Sequence, residues 1–550
     1  MSYLGGNAPS NMEAWELEEG RYISSSIGSL THRQKMRVML SVGLVTAIEI
    51  SSRLSVNVLL PDMQGNVAAD SDQISYVVIL YNLGFLCSLA LAYWMTRVIG
   101  SRRHLLLCIG LYSIGAVGCV LSAHSLETLL ISRLIMGFGG GAFLVRVVIL
   151  AGLMFPGKAR IHAVTYLYSL LFAFQITYPI VMGWIDDTFH WNYAFLLDLP
   201  FLAIGAVMVW KFVPRGHLFL RNKEARVDFT GAILLIVSLG CLQLATSRGE
   251  RDDWFDSSWI SISWIVSVIT LALFFWWDSR VQNVSPVFHL RMIWRQGAIR
   301  TSFSVVLIVG AILGAGLFVI PQYLRTVQDY SAMQTGAFIS MFTAGLGSGL
   351  IVSLRILVPK LGGPLAITTG LLMLLATFSA IAYIWTPTTP THILAIAIFL
   401  QGFSLAPALL GAANIATGSA LPADLNDVST MFFFVRQLGN TLGVSAATVT
   451  FDRRLNLHSA RLLDVANRLD PTVHSTLGTY SNLIHRNGGG RANPALGALQ
   501  LFQNNVIIQS RLLSYIDIYV GLAVLGALGL IVLAFTKFKN RLGPHSFHLW

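Results

Sequence analysis

SRLIMGFGGGAFLVRVVILAG (132–152) decides the fold. The stretch is apolar over a membrane-spanning length, yet it holds Gly137, the glycine triplet 139–141 and two arginines, Arg133 and Arg146. A core helix of a soluble protein avoids both features. Glycine weakens a helix in water, whereas in a bilayer small residues let neighbouring backbones approach closely. An arginine in hydrocarbon is costly and faces a bundle interior or a wet cavity. On one helix advancing ~100° per residue, Gly137, Gly140, Gly141 and Leu144 fall near the face of Arg133. That face reads as a charge and a close-packing groove presented to protein. Arg133 then either ties helices together or meets a solute. Arg146 falls ~220° further round a straight helix and ~20 Å along it, so it faces elsewhere. It reads as a snorkelling or paired side chain, or as an anion contact at the floor of a cavity.

The rest of the chain agrees with a membrane origin. Of 550 residues, 55% are hydrophobic and 11% charged, and the mean hydropathy is +0.66. A soluble chain carries ~25% charged residues. The net charge of +11 does not point to nucleic acid, because the basic residues sit in short loops where membrane topology accounts for them. Cys87, Cys108, Cys119 and Cys241 all lie in apolar runs and read as packing residues. The thirteen histidines show no metal-ligand spacing. The first apolar segment is too long for a signal-peptide core and lacks a small-residue cleavage site, so it is expected to remain as the first span.

Hydropathy predicts fourteen spans, near 37–60, 73–95, 103–123, 127–153, 160–184, 192–212, 228–246, 257–277, 301–323, 333–357, 364–385, 391–416, 427–450 and 513–536. Alternate loops are basic (Arg97, Arg102, Arg103; Lys211 to Arg226; Lys537 to Arg541) and the opposite short loops acidic (Asp62, Asp70, Asp72; Asp186, Asp187). By the positive-inside rule both termini are cytoplasmic. LIMGFGGGAFL in span four and FLQGFSLAPALL in span twelve share a Gly-Phe pair after an apolar run. The chain therefore parses as six spans, an inserted pair and six more, an internal repeat of the kind found in secondary transporters. The expected organisation is a cytoplasmic tail (1–34), a first six-helix bundle (35–215), the inserted pair with its loops (216–298), a second six-helix bundle (299–540) and a cytoplasmic tail (541–550). The outer loop 452–512 has apolar residues at helical spacing over 455–469 and a glycine-rich break over 487–494. It reads equally as a short surface or docking helix or as a solvated linker.

Several polar residues stand inside the spans. Glu49, Arg53 and Asn57 are four apart on span one, and Glu49 lies ~18 Å deep by helix rise, near the bilayer middle. Glu49 and Arg53 form either a structural ion pair or a proton-carrying acid beside a base that meets substrate. Asp198, in span six, is an anchor or a second proton carrier. Gln175 and Tyr178 in span five, Gln401 in span twelve, and Arg436 and Gln437 in span thirteen complete the cavity candidates. Asp517 reads as a helix-packing residue, and Trp254, Trp259, Trp264, Trp276 and Trp277 as interface anchors.

Six stretches carry a family likeness: NVLLP (57–61), TRVIGSRR (96–103), RLIMGFGGG (133–141), YPIVMGW (178–184) followed by His190 and Trp191, DDWFDSS (252–258) and RQLGNTLG (436–443). In this order and spacing they resemble the major facilitator superfamily, and within it the fourteen-span drug:proton antiporters of the EmrB/QacA group. The resemblance covers most of the chain. It implies an all-α polytopic fold and proton-driven export of amphipathic compounds by alternating access. It also implies a bacterial inner membrane, a periplasmic membrane-fusion adaptor and an outer-membrane channel. Arg97, Gly100 and Arg102 would belong to its cytoplasmic-loop motif, Gly137 and Gly141 to the span-four motif, and Pro179 and Gly183 to the antiporter motif. The chain departs from the group in three places. The span-one acid would fall at Ser52, Arg53 stands where the group keeps a small residue, and Tyr178 and Met182 replace glycines. The extra arginines Arg53 and Arg146 suggest an alternative cargo, an organic anion, siderophore or other endogenous metabolite. No nucleophile–base pair or phosphate loop of the G-x-x-x-x-G-K-[ST] type is present, so an enzyme, an ATP-driven pump and any cofactor other than the proton gradient are not expected.

Overall fold

The computed structural model describes residues 30–155, 158–214, 228–280, 288, 296–420, 425–465, 471–486 and 494–535. Both tails, the basic loop 215–227 and the glycine-rich break 487–493 lie outside the described residues, as does the Arg97 side chain.

The described chain is helical. In the amino-terminal half run α1 (His32–Asn66), α2 (Ser71–Ile99), α3 (Ser101–Leu121), α4 (Leu126–Gly140), α5 (Phe143–Met154), α6 (Lys158–Thr188), a 3-10 segment (Trp191–Leu197) and α7 (Asp198–Phe212). The pair α8 (Phe229–Arg248) and α9 (Ser258–Asp278) follows. The carboxy-terminal half holds α10 (Gly297–Thr326), α11 (Ala332–Val352), a π segment (Ser353–Leu357), α12 (Val358–Ile384), α13 (Thr391–Ser419), α14 (Leu425–Val465), α15 (Pro471–Arg486) and α16 (Pro494–Phe535). Twelve helical stretches among the described residues are long and apolar enough to cross a membrane. One of them, Ala332–Ile384, contains both α11 and α12, the predicted spans ten and eleven. The predicted span thirteen lies on α14, which is not among the twelve.

The halves repeat each other. Pro61 and Pro321, Gly84 and Gly345, Gly100 and Gly362, and Gly137 and Gly402 are each separated by roughly 260 residues. The pairs occupy matching places. A Cβ on Gly84 would stand 2.8 Å from Phe138 N, and Gly137 would meet the carbonyl of Tyr81. A Cβ on Gly345 would stand 3.0 Å from Phe403 N, and Gly402 would meet the carbonyl of Phe342. Thus α2 crosses α4 as α11 crosses α13, with backbone against backbone. Gly100 (φ 86°) turns the chain into α3, and Gly362 (φ 79°) kinks α12 near its start, both in a left-handed region that other residues resist.

Two expectations from the sequence are corrected. The stretch 132–152 is not one helix: α4 ends at Gly140 and α5 starts at Phe143. The glycines there are wedged between neighbours, Gly139 against Cys108 and Tyr112 of α3 and Gly141 against Phe85 of α2, and they have no side chain to defend the helix. Arg146 nevertheless reaches the same neighbour as Arg133. Arg133 Nε donates to Val77 O (3.3 Å) and Arg146 Nη2 to Ala92 O (3.1 Å), both on α2. The outer loop differs too. Of its expected helix over 455–469, the described part, to Val465, is a continuation of α14, and α16 begins at Pro494, well before the predicted span. Asp517 holds the two together by bonding His458 at 2.8 Å and pairing with Arg454 at 3.4 Å.

The inserted pair is fastened to itself and to the second half. Ser238 and Ser267 each donate to the other's carbonyl, at 3.2 and 3.0 Å. Gln243 on α8 donates to Ser445 on α14 at 2.7 Å.

Candidate functional site

At mid-depth a polar chain links the two halves. Tyr81 OH on α2 donates to Glu49 Oε1 at 2.8 Å, and Arg53 Nε lies 3.0 Å from the same oxygen. Arg53 Nη1 donates to Gln437 Oε1 on α14 at 2.9 Å, and Gln437 Nε2 donates to Asn82 Oδ1 on α2 at 2.9 Å. The i,i+4 spacing of Glu49 and Arg53 puts acid and base on one face, and that much follows from α1 alone. The glutamate is fully buried, with Oε2 lacking a partner, while the arginine side chain keeps 17% exposure. Its guanidinium lies 4.8 Å over the Phe85 ring. Arg53 thus stands between the closed interior of the first half and the junction with the second.

A second carboxylate lies one layer deeper in the first half. Asp198, at the start of α7, is fully buried. It accepts from Ser52 Oγ at 2.8 Å and from the hydroxyl of Tyr178 on α6. Ser52, where the resembled group has an acid, therefore touches a carboxylate supplied by another helix. Tyr178, which replaces a motif glycine, provides that carboxylate's second donor.

The remaining candidates fall into separate places. Arg133 is sealed in the first half, with its guanidinium 4.4 Å over Tyr81 and 5.8 Å over Phe195. Arg146 bonds Thr96 and Ala92 near the far end of α2. Asn57 bonds its own helix at Leu54 O (3.1 Å), and Gln175 is buried on α6. Gln401 lies inside the second half, accepting from Tyr519 OH at 3.1 Å. Arg436 sits beside Gln437 at the junction, 5.8 Å over Phe433. Arg102 lies 5.3 Å over Trp210. Gly141 packs against Phe85 and Ser88 of α2, and Gly183 against the first turn of α11.

At the end that the loop charges predict to be outer, α6 and α11 close a seam. Asp187 accepts from Ala332 N (3.0 Å) and Met333 N (2.9 Å), so one half caps a helix of the other. Below it Gly336 meets Pro179, Ser340 Oγ donates to Ile176 O (2.5 Å), and Gly347 faces Phe172. Asp62 on α1 pairs with Arg325 on α10 at the same end. Sequence reading passed over Asp62–Arg325, the Asp187 cap, Tyr81 and Asn82. The last two form a polar pair inside an apolar run, LYNLGF (80–85), and that was the available signal.

Residues 42–444 match the Major Facilitator Superfamily model. Multidrug export protein EmrB of Escherichia coli (strain K12) is 24% identical over 507 residues, covering 90% of this chain and 94% of that protein. Fatty acid resistance protein FarB of Neisseria gonorrhoeae is 25% identical over 452 residues, covering 80% and 85%. Among solved structures, an inward-facing, unoccupied bacterial homologue of the human lysosomal transporter Spinster matches with a TM-score of 0.56 at 14% identity, over 92% of this chain and 98% of that one. A peptide transporter POT matches with a TM-score of 0.59 at 15% identity, over 90% and 93%. These relatives are transporters, not enzymes. The chain belongs to the Major Facilitator Superfamily, and within it is related to the multidrug export proteins.

Proposed function

We propose that this protein is a proton-coupled exporter of amphipathic compounds that works by alternating access, with fourteen spans arranged as six, two and six. The observation that carries the reading is the chain Tyr81–Glu49–Arg53–Gln437–Asn82, which ties a buried carboxylate to the junction of the halves. A proton added to Glu49 removes the charge that fixes Arg53. The Arg53–Gln437 bond then loses its support, and α1 is freed from α14. Asp198, held by Ser52 and Tyr178, is the second proton carrier in this scheme. The Asp62–Arg325 pair and the Asp187 cap favour a state closed at the outer end. Glycine crossings such as Gly84–Gly137 keep each half rigid while the halves move against each other.

The site lies in a bacterial inner membrane with both termini cytoplasmic, as the loop charges favour. The resemblance to the EmrB/QacA group implies a periplasmic adaptor and an outer-membrane channel as partners, met by the outer ends of α14 and α16 and by α15. A second reading, export of an organic anion, is favoured by the arginines at the junction and by kinship with a fatty acid resistance protein.

The test is transport in proteoliposomes under imposed pH and voltage gradients, across acids, bases and neutral amphiphiles. The wild-type protein should drive uptake that follows the pH gradient, and Glu49→Gln should lose that dependence. A Glu49→Gln protein that still follows the gradient would remove Glu49 from the coupling scheme.

A further inference from the structure

We infer that Arg436 receives a carboxylate of the cargo, so that the preferred substrate is an amphipathic organic monoanion. This rests on the transporter reading and names the substrate class for its site.

Among the arginines predicted as cavity residues, Arg53, Arg133 and Arg146 have acceptors. Arg133 uses Val77 O, Arg146 uses Ala92 O and Thr96, and Arg53 uses Glu49 and Gln437. Arg436 has none among the described residues. Its Nε is buried without a partner, and its one close neighbour of note is the Phe433 ring. A guanidinium carries five N–H donors and no acceptor; Arg436 is only partly buried, so the donors that no protein group takes stay open to water or to a solute.

Its position says what completes it. Gln437, the next residue, bonds Arg53, so Arg436 stands at the junction of the halves. Glu49, Arg53 and Tyr168 are within electrostatic reach of it. Glu49 is already committed to Arg53 and Tyr81 through one oxygen. Two guanidiniums against one carboxylate leave one net positive charge, which a monoanion neutralises and a cation increases. A carboxylate also matches the planar fork of arginine with two parallel hydrogen bonds. Phe433, partly exposed beside Arg436, offers apolar surface for a hydrocarbon tail.

The experiment is equilibrium binding to the full-length protein in nanodiscs, corrected for empty nanodiscs, with decanoate, methyl decanoate and decyltrimethylammonium. The wild-type protein should bind decanoate at least ~10-fold more tightly than either analogue. Arg436→Gln should bring decanoate down to the level of the ester and leave the ester unchanged. Arg436→Lys, which keeps the charge without the fork, should fall between and serves if the glutamine variant does not fold. Equal wild-type affinity for acid and ester overturns the inference. So does a parallel loss of all three ligands in a folded variant. Selective acid binding without transport in proteoliposomes would sink the exporter reading and leave the anion site standing.

Discussion

Arg53 and Gln437, 384 residues apart, are joined by a 2.9 Å hydrogen bond from guanidinium to amide oxygen. The same amide donates to Asn82, so one glutamine on α14 holds both α1 and α2. This is the polar clasp between halves at the depth of the buried carboxylate.

Replacing Gln437 by leucine keeps the volume and deletes the clasp. A hydrogen bond to a charged group contributes ~1.5–3 kcal/mol, so the balance between conformations should shift ~10- to 100-fold away from the clasped state. Spin-label distances across the inner ends of α1 and α14 would report it. Unchanged distance distributions would show that the clasp does not bias the conformation.

The outer seam should respond to a double change. Asp62 and Arg325 are partly exposed, so their pair alone contributes ~0–1 kcal/mol. Losing the Asp187 cap on α11 costs ~1 kcal/mol more. Arg325→Gln with Asp187→Ala should therefore raise the outward-open population ~5- to 30-fold. Modification of a cysteine placed behind the seam by a membrane-impermeant thiol reagent measures this. Reaction at the wild-type rate would show that other contacts keep the seam shut.

Tyr178→Phe removes only the hydroxyl that Asp198 accepts from. Leaving a buried acceptor short of a donor costs ~1–3 kcal/mol. The variant should unfold at lower temperature, and Tyr178→Gly, which also opens a cavity, at a temperature lower still. A phenylalanine variant as stable as wild type would mean that Ser52 suffices to hold Asp198.

Gly402→Ala places a methyl group against the carbonyl of Phe342 where α13 crosses α11. Overpacking at such a crossing costs ~1–3 kcal/mol, and the equivalent Gly137→Ala should cost a similar amount. Thermal unfolding of both in detergent checks the repeat as well as the packing. A neutral alanine at one site and a damaging one at the other would break the symmetry.

Most helices were legible because a bilayer imposes a local rule. About twenty apolar residues must come together, and the ladder of hydrogen bonds is satisfied within the segment. Glu49 and Arg53 were legible for the same reason, since their pairing needs only one helix. The repeat was visible in the Gly-Phe pairs of spans four and twelve. The break after Gly140 was not, because a run of glycines says that a helix is weak and not which neighbour will bend it.

By itself, then, the sequence determined a chain of apolar helices with a charged pair on the first and a glycine groove on the fourth. Only the tertiary structure decided that Asp198 meets Ser52, that Gln437 clasps Arg53, that Arg133 is enclosed while Arg436 is left without an acceptor. The reason is that lipid tails and helix interfaces are equally apolar, so hydropathy cannot encode how each helix is rotated about its axis. That rotation is set by backbone-on-backbone crossings and interhelical hydrogen bonds, which exist only once the helices have packed.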